Sequence, residues 1–383
     1  MAKNKNNIVK LLHHAPTSGL VFIGDPHLWS KTPGRRLDNY SQVTLNKLAA
    51  AAEISNRLNL WPVCLGDLFH HAKENNLEFL SKIMEVLREF DRPFLCAVGN
   101  HDLTERELTK GTALELLEQA GVLRTMRQNG PFGIIEITDE MGGTSNVLLG
   151  ATPYGENIPP SLSRWTGLTR SVDHNATKKA IGVEHSVWIT HDDMAFDHRY
   201  PGAKDTHPIV GVDLVINGHM HLAQTPLRKG PTAWYNPGNI SRLSIDLSKQ
   251  TPRIWSWKPD GLTMKASDGL DIPLIEPIDL PHQDSEEVLS LHGRAVKNAI
   301  LSGEEISTLI VPEEDTLPVS GIASSKFVEK LKDDQSQQRT DDGSYLSQTV
   351  QDTLARRQAP EHVSGIVQRL LDRALEKHRN NHE

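Results

Sequence analysis

Five times in this chain an apolar run ends on a polar residue able to bind metal, and that repetition limits the fold more than any composition figure does. Trp61-Pro62-Val63-Cys64-Leu65-Gly66 delivers Asp67, and Leu20-Val21-Phe22-Ile23-Gly24 delivers Asp25-Pro26-His27. Phe94-Leu95-Cys96-Ala97-Val98-Gly99 delivers Asn100-His101-Asp102. Val187-Trp188-Ile189-Thr190 delivers His191, and Leu214-Val215-Ile216-Asn217-Gly218 delivers His219-Met220-His221. A short apolar run bounded by glycine predicts a buried strand, and the glycine lets the backbone turn tightly beside the side chain it presents.

Apolar stripes between these runs predict helices over 39–60 and 76–90, and Thr104-Glu105-Arg106-Glu107 reads as a capping box opening a third helix that closes near Gly121. Alternating strands and helices predict an α/β fold with a largely parallel sheet, whose strand carboxyl ends share one edge. Further strands are expected over 132–138, 146–150 and 240–247, with a polar surface excursion over 156–178. Residues 1–250 form the expected main domain and 251–335 a small α+β accessory domain, with a helix over 284–300 and a strand over 306–311. Residues 336–383 read as a linker followed by two helices, over 345–357 and from 360.

A net charge of -8 excludes coating nucleic acid by bulk charge, though not a nuclease whose bound cations supply positive charge locally. No apolar run approaches the ~20 residues that span a bilayer, and the basic N-terminus leads into no apolar signal segment. The two cysteines, Cys64 and Cys96, both lie within apolar runs and read as reduced core thiols, which fits a cytoplasmic protein.

Asp25, His27, Asp67, Asn100, His191, His219 and His221 offer oxygen and imidazole nitrogen without thiolate, a set suited to Mn, Fe or Zn. Seven donors exceed one tetrahedral ion. They divide over two ions if Asp67 bridges, with Asp25, His27 and His221 on one and Asn100, His191 and His219 on the other. Two ions ~3.5–4 Å apart lower the pKa of a shared water and clamp a phosphoryl group. His101 cannot easily share an ion with adjacent Asn100; it is free to support the leaving oxygen, with Asp102 as its expected orienting partner. His13, His14, His174, His185, His198, His207, the C-terminal histidines, Arg35-Arg36 and Lys178-Lys179 read as packed or solvated side chains, and Trp255 and Trp257 as one face of a half-buried strand.

The ordered set Asp25-x-His27, Gly66-Asp67, Gly99-Asn100-His101-Asp102, His191 and Gly218-His219-x-His221 resembles the calcineurin-like metallophosphoesterase superfamily. That resemblance implies layered sheets flanked by helices and a two-metal hydrolase. Within it, Gly66-Asp67-Leu68-Phe69-His70 is similar to the SbcD-type nuclease subunits, with further likeness at 149–155 and at Asn236-Pro237-Gly238-Asn239. The group implies a Mn2+-dependent DNA exonuclease and endonuclease in repair, recombination or replication, with His70 positioning the DNA phosphate. It also implies a nuclease dimer and an SMC-like ATPase partner of the SbcC type bound through the C-terminal helices. The alternatives are a stand-alone phosphatase or phosphodiesterase on nucleotides or other small phosphoesters, and a non-catalytic interaction subunit.

Overall fold

The computed structural model describes residues 11–290, except 13, 140, 167–172 and 198–200. In its first part strands and helices alternate. β1 (Gly19–Ile23) leads to α1 (Tyr40–Arg57), β2 (Leu60–Cys64) to α2 (Leu77–Arg88), β3 (Phe94–Ala97) to α3 (Ala113–Gln119), and β4 (Leu123–Met126) follows. Each helix begins at a side-chain cap: Asn39 accepts from Gln42 N, Asn76 from Phe79 N and Thr112 from Glu115 N. Such caps contribute ~1 kcal/mol each.

The third helix starts later than the sequence predicts. Thr104 and Glu107 exchange both backbone hydrogen bonds across Glu105 and Arg106, whose φ values are 53° and 68°. The capping-box residues therefore close a two-residue turn of the hairpin kind.

The chain continues through β5 (Gly130–Thr138), β6 (Thr144–Thr152), α4 (His174–Ile181), β7 (His185–His191), β8 (Met194–Ala195), β9 (Lys204–Asp205), β10 (Leu214–Gly218), β11 (Leu227–Lys229) and β12 (Thr232–Tyr235). β13 (Arg253–Trp257), β14 (Thr263–Lys265), β15 (Asp271–Pro273), β16 (Glu276–Asp279) and α5 (Ser285–Val288) complete it.

The strands divide over two six-stranded sheets, ordered β16-β13-β1-β2-β3-β4 and β11-β12-β10-β7-β6-β5, the layered sheets that the resemblance implies. The period-2 pattern decides how they stack. Leu20, Phe22, Trp61 and Val63 of the first sheet meet Val187, Ile189, Leu214 and Ile216 of the second in a shared core. The intervening residues Val21, Ile23 and Cys64 pack instead against Leu45, Leu48, Leu80 and Ile83 of α1 and α2. On the far face of the second sheet, Trp188, Val215 and Trp234 are covered by Ile158, Leu162 and Ile209. Both sheets thus have both faces buried, which is why their parallel strands read as continuous apolar runs. The result is a mixed α/β fold of layered sheets flanked by helices.

Residues 240–247 do not form the expected strand. The carbonyls of Ile240 and Arg242 are taken by side-chain donors, Lys47 Nζ at 3.0 Å and Arg36 Nη1 at 2.8 Å, and 245–247 close a 3-10 turn. β13 and β16, in the stretch read as accessory, hydrogen-bond into the first sheet, where Trp257 pairs with Leu20. Of the helix predicted over 284–300, Ser285–Val288 is helical and Leu289 is extended at φ -125° and ψ 147°, while 291–300 lie outside the described residues. The strand predicted over 306–311, the linker and the closing helices lie outside the described residues. No helix among the described residues is long and apolar enough to cross a membrane.

Candidate metal centre

β1, β2 and β3 come from one sheet and β7 and β10 from the other, yet the loops beyond them interlock. His27 N donates to the Asp67 carbonyl at 3.0 Å, and His219 N donates to Asp25 Oδ2 at 2.7 Å. His101 N donates to Asp67 Oδ1 at 2.8 Å, and His191 Nδ1 donates to the Leu65 carbonyl at 2.8 Å. These bonds join loops within and between the sheets and fix the side chains at their shared edge.

The backbone is strained where the candidate donors sit. Asp25, His27, Asp67 and His219 have φ values of 28°, 47°, 46° and 73°, and they are four of the seven non-glycine residues with positive φ among the described residues. Each such residue costs on the order of 1–3 kcal/mol and persists only where its surroundings impose it. Two glycines leave the room. A Cβ on Gly99 would lie 2.1 Å from Asp67 Oδ1, and one on Gly218 would lie 2.8 Å from Asp25 Oδ1 and 2.7 Å from His191 Nδ1.

Two donor groups share Asp67. Ligand atoms of Asp25, His27, Asp67 and His221 lie within 4.8 Å of one another, as do those of Asp67, His191 and His219. Asn100 Oδ1 joins the second group, 2.9 Å from His219 Nδ1. His27 Nε2 and His221 Nε2 face each other at 2.8 Å. Of nine buried side-chain polar atoms without a hydrogen-bond partner among the described residues, five are here: Asp25 Oδ1, His27 Nδ1, Asp67 Oδ2, His70 Nδ1 and His191 Nε2. Buried polar atoms are normally paired, so this concentration marks a place built for something the chain itself does not supply. Divalent cations fit it by charge, donor type and convergence.

The electrostatics show that the carboxylates here favour positive charge. Burial pushes the Asp67 carboxyl up, but the His191 ring beside it more than reverses this and holds it well below the usual carboxylate range. Burial likewise works against a charged His191, and the Asp67 and Asp25 carboxylates overcome it, pushing His191 up to about 10. His191 Nε2 approaches Asp67 Oδ2 to 3.2 Å, close enough for charge attraction though not aimed as a hydrogen bond. Burial, reinforced by His221, holds His27 well below its ordinary value.

His101 and His70 stand beside this group as stacked rings, 5.5 Å between centroids. His101 Nδ1 donates to the His70 carbonyl at 2.7 Å, which turns its Nε2 away from the backbone. Burial, with His71 and His101 nearby, takes His70 down to about 3. His71 is exposed, and its ring lies 5.0 Å from Trp29. Asp102 does not orient His101 as expected. Its carboxylate accepts from Gly99 N at 3.0 Å and Phe69 N at 3.2 Å, tying the β2 and β3 loops together. Arg36 is also unavailable to a substrate: it is buried, paired with Asp38 and bonded to the Arg242 carbonyl.

Sequence reasoning missed the residues that hold the histidine loops. Asn217 is fully buried; its Oδ1 accepts from Thr190 Oγ1 at 2.8 Å and Asp192 N at 3.2 Å. Its Nδ2 donates to the carbonyls of Asp192 and Gly218 and to Asn236 Oδ1. Asn236 in turn donates to the carbonyls of Met220 and Leu222. A lone asparagine inside an apolar strand end is the signal that could have found Asn217. Asp192 is held by Lys204 at 2.6 Å, while Asp193 Oδ1 lies 3.5 Å from His219 Nε2.

Solved structures with a similar trace include the inner-membrane-complex anchor GAP50 of Plasmodium, at 14% identity and a TM-score of 0.37 over 70% of this chain and 91% of that one. The 5'-nucleotidase precursor of Thermus thermophilus is 12% identical, with a TM-score of 0.37 over 74% of this chain and 57% of that one. The Haemophilus influenzae NAD nucleotidase is 13% identical, with a TM-score of 0.38 over 88% of this chain and 71% of that one. No curated protein matches the sequence. Residues 19–223 match the calcineurin-like phosphoesterases, and that span contains every donor placed around Asp67. With more than half of its 383 residues matched and its polar strand ends converging in this way, the chain belongs to the calcineurin-like phosphoesterase family.

Proposed function

We propose that this phosphoesterase is a two-metal DNA phosphodiesterase of the SbcD type, with Mn2+ as its working ion. The observation that carries the reading is the placement of His70. The residue that continues Gly66-Asp67-Leu68-Phe69 stacks on His101 at the margin of the Asp67 centre, where a phosphate entering the site would meet both rings. Asp25, His27, Asp67 and His221 would hold one cation; Asp67, Asn100, His191 and His219 would hold the other. Bound there, the cations supply Lewis-acid charge that acidifies water and neutralises phosphoryl oxygens.

The chain's own residues do the rest. His101 is anchored through Nδ1 on the His70 carbonyl, leaving Nε2 to pass a proton to the departing sugar oxygen. His70, kept neutral, donates to the non-bridging phosphate oxygens without adding charge. The Asn217–Asn236 network holds the His191 and His219 loops still while this happens. DNA is the proposed substrate, with a nuclease dimer and an SbcC-type ATPase as proposed partners; two free buried thiols suit a cytoplasmic setting.

The test is parallel hydrolysis, with Mn2+, of labelled linear DNA, bis-p-nitrophenyl phosphate and p-nitrophenyl phosphate. DNA degradation is expected, lowered ~10²–10⁴-fold by His101→Ala. His70→Ala should hurt DNA cleavage more than cleavage of the small diester. Hydrolysis of the small esters with DNA untouched would overturn the nuclease reading.

A further inference from the structure

Three imidazoles at the margin of the carboxylates form a group of their own. Nitrogens of His27, His70 and His101 come within 4.8 Å of one another. Their rings contact pairwise, with centroids 4.9 Å apart for His27 and His101, 5.4 Å for His27 and His70, and 5.5 Å for His70 and His101. His27 is fully buried, and neither its Nδ1 nor the buried Nδ1 of His70 has a hydrogen-bond partner among the described residues. His101 has its Nδ1 proton fixed on a backbone carbonyl, the arrangement that orients a metal-binding histidine to use its other nitrogen.

We propose that His27, His70 and His101 form an alternative cation site for a borderline-soft ion such as Zn2+, distinct from the Asp67 centre and in competition with it. The donor chemistry separates the two places. Around Asp67 carboxylate and amide oxygens mix with imidazole, which suits Mn2+; three imidazoles without oxygen suit tetrahedral Zn2+ with water as fourth ligand. Zn–N bonds of ~2.0–2.1 Å set tetrahedral donors about 3.3 Å apart, so the rings close by about 1 Å or less per donor on binding.

The competition follows from His27. A neutral imidazole has a single lone pair, so His27 serves the Asp67 centre or the three-histidine site, not both. Zinc held by His70 and His101 also removes those rings from phosphate. Zinc is therefore an inhibitor of the Mn2+-loaded protein, acting through a site that the substrate also needs.

Co2+ reports the geometry without any assay of activity, because tetrahedral Co2+ absorbs visible light far more strongly than octahedral Co2+. Titrating the full-length protein with Co2+ should give an intense tetrahedral band, displaced by Zn2+. His70→Ala and His70→Gln should each abolish that band and weaken the corresponding Zn2+ binding step ~10²-fold or more, while the remaining Co2+ still binds with faint bands. Two substitutions of one half-buried ring guard against a folding defect in either, since a misfolded protein would lose the faint bands as well. Bands and Zn2+ binding unchanged in both variants would overturn the proposal and leave the three rings to water or phosphate alone.

Discussion

Two carboxylate–imidazole clusters in this molecule, one half-buried and one buried, use the same residue types to opposite ends. In the first, Asp213 Oδ1 accepts from His174 Nε2 at 2.8 Å and Lys178 Nζ at 2.7 Å, while Oδ2 accepts from Ser186 N at 2.8 Å and Ser186 Oγ at 3.1 Å. His174 Nδ1 in turn accepts from Gly211 N. Every polar atom of that carboxylate and ring has a partner, and the cluster is a tie between α4 and the second sheet. Around Asp67 the opposite holds: four atoms of Asp25, His27, Asp67 and His191 point inward without a hydrogen-bond partner among the described residues, on a backbone largely bent into positive φ. Residue composition does not separate a structural tie from a metal centre; the tally of unmet hydrogen-bond capacity does.

The sharpest way to break this contrast is to treat both carboxylates alike. Asp67→Asn should lower phosphodiesterase activity ~10³-fold or more and remove tight divalent binding, because a ligand that both ions would share is lost. Asp213→Asn should leave kcat/KM unchanged and cost ~1 kcal/mol in urea unfolding, since it weakens half-buried hydrogen bonds. Loss of stability in the first with loss of activity in the second would invert the assignment.

Glycines give the next largest effect. Gly99→Ala drives a methyl group to 2.1 Å from Asp67 Oδ1 and should cost on the order of 10²-fold in activity by misplacing the bridge. Gly182→Ala, at the αL end of α4 with φ 87° and open space around it, should cost only ~1 kcal/mol of stability. Activity assays and thermal melts of the two variants check this.

The remaining effect is one of pH and lies away from both clusters. Burial, helped by the Arg36 and Arg242 guanidinium groups, takes Lys47 down to about 7. Between that value and the ordinary ~10.4 the unfolded chain binds a proton that the folded chain has released, so this group makes stability rise with pH by up to ~1.4 kcal/mol per unit. Lys47→Met should flatten the rise, as measured by urea unfolding at pH 7 and pH 9.

Much of the site was legible because its signals are local. Each apolar run, its glycine and the polar residue beyond are contiguous, so Asp25, Asp67, Asn100 and His219 could be placed on strand ends from the residues alone. What was not legible depends on partners distant in sequence. Nothing in β7 or β10 says that they belong to a second sheet, since strands buried on both faces look the same in either. The 240–247 stretch has strand composition, but Lys47 and Arg36, some two hundred residues away, take its carbonyls. Thr104–Glu107 carries a helix-start pattern whose residues satisfy each other in a turn instead. Asp102 was assigned to its neighbour His101, whereas its carboxylate reaches back across two loops to Gly99 and Phe69.

The central claim is that two cations share Asp67 between the two sheets. Anomalous scattering at the manganese edge from crystals grown with Mn2+ tests it directly. The account predicts two peaks about 3.5–4 Å apart, one beside Asp25, His27 and His221, the other beside Asn100, His191 and His219, with the Asp67 carboxylate touching both. A single peak, or an Asp67 side chain bound to neither ion, would contradict it.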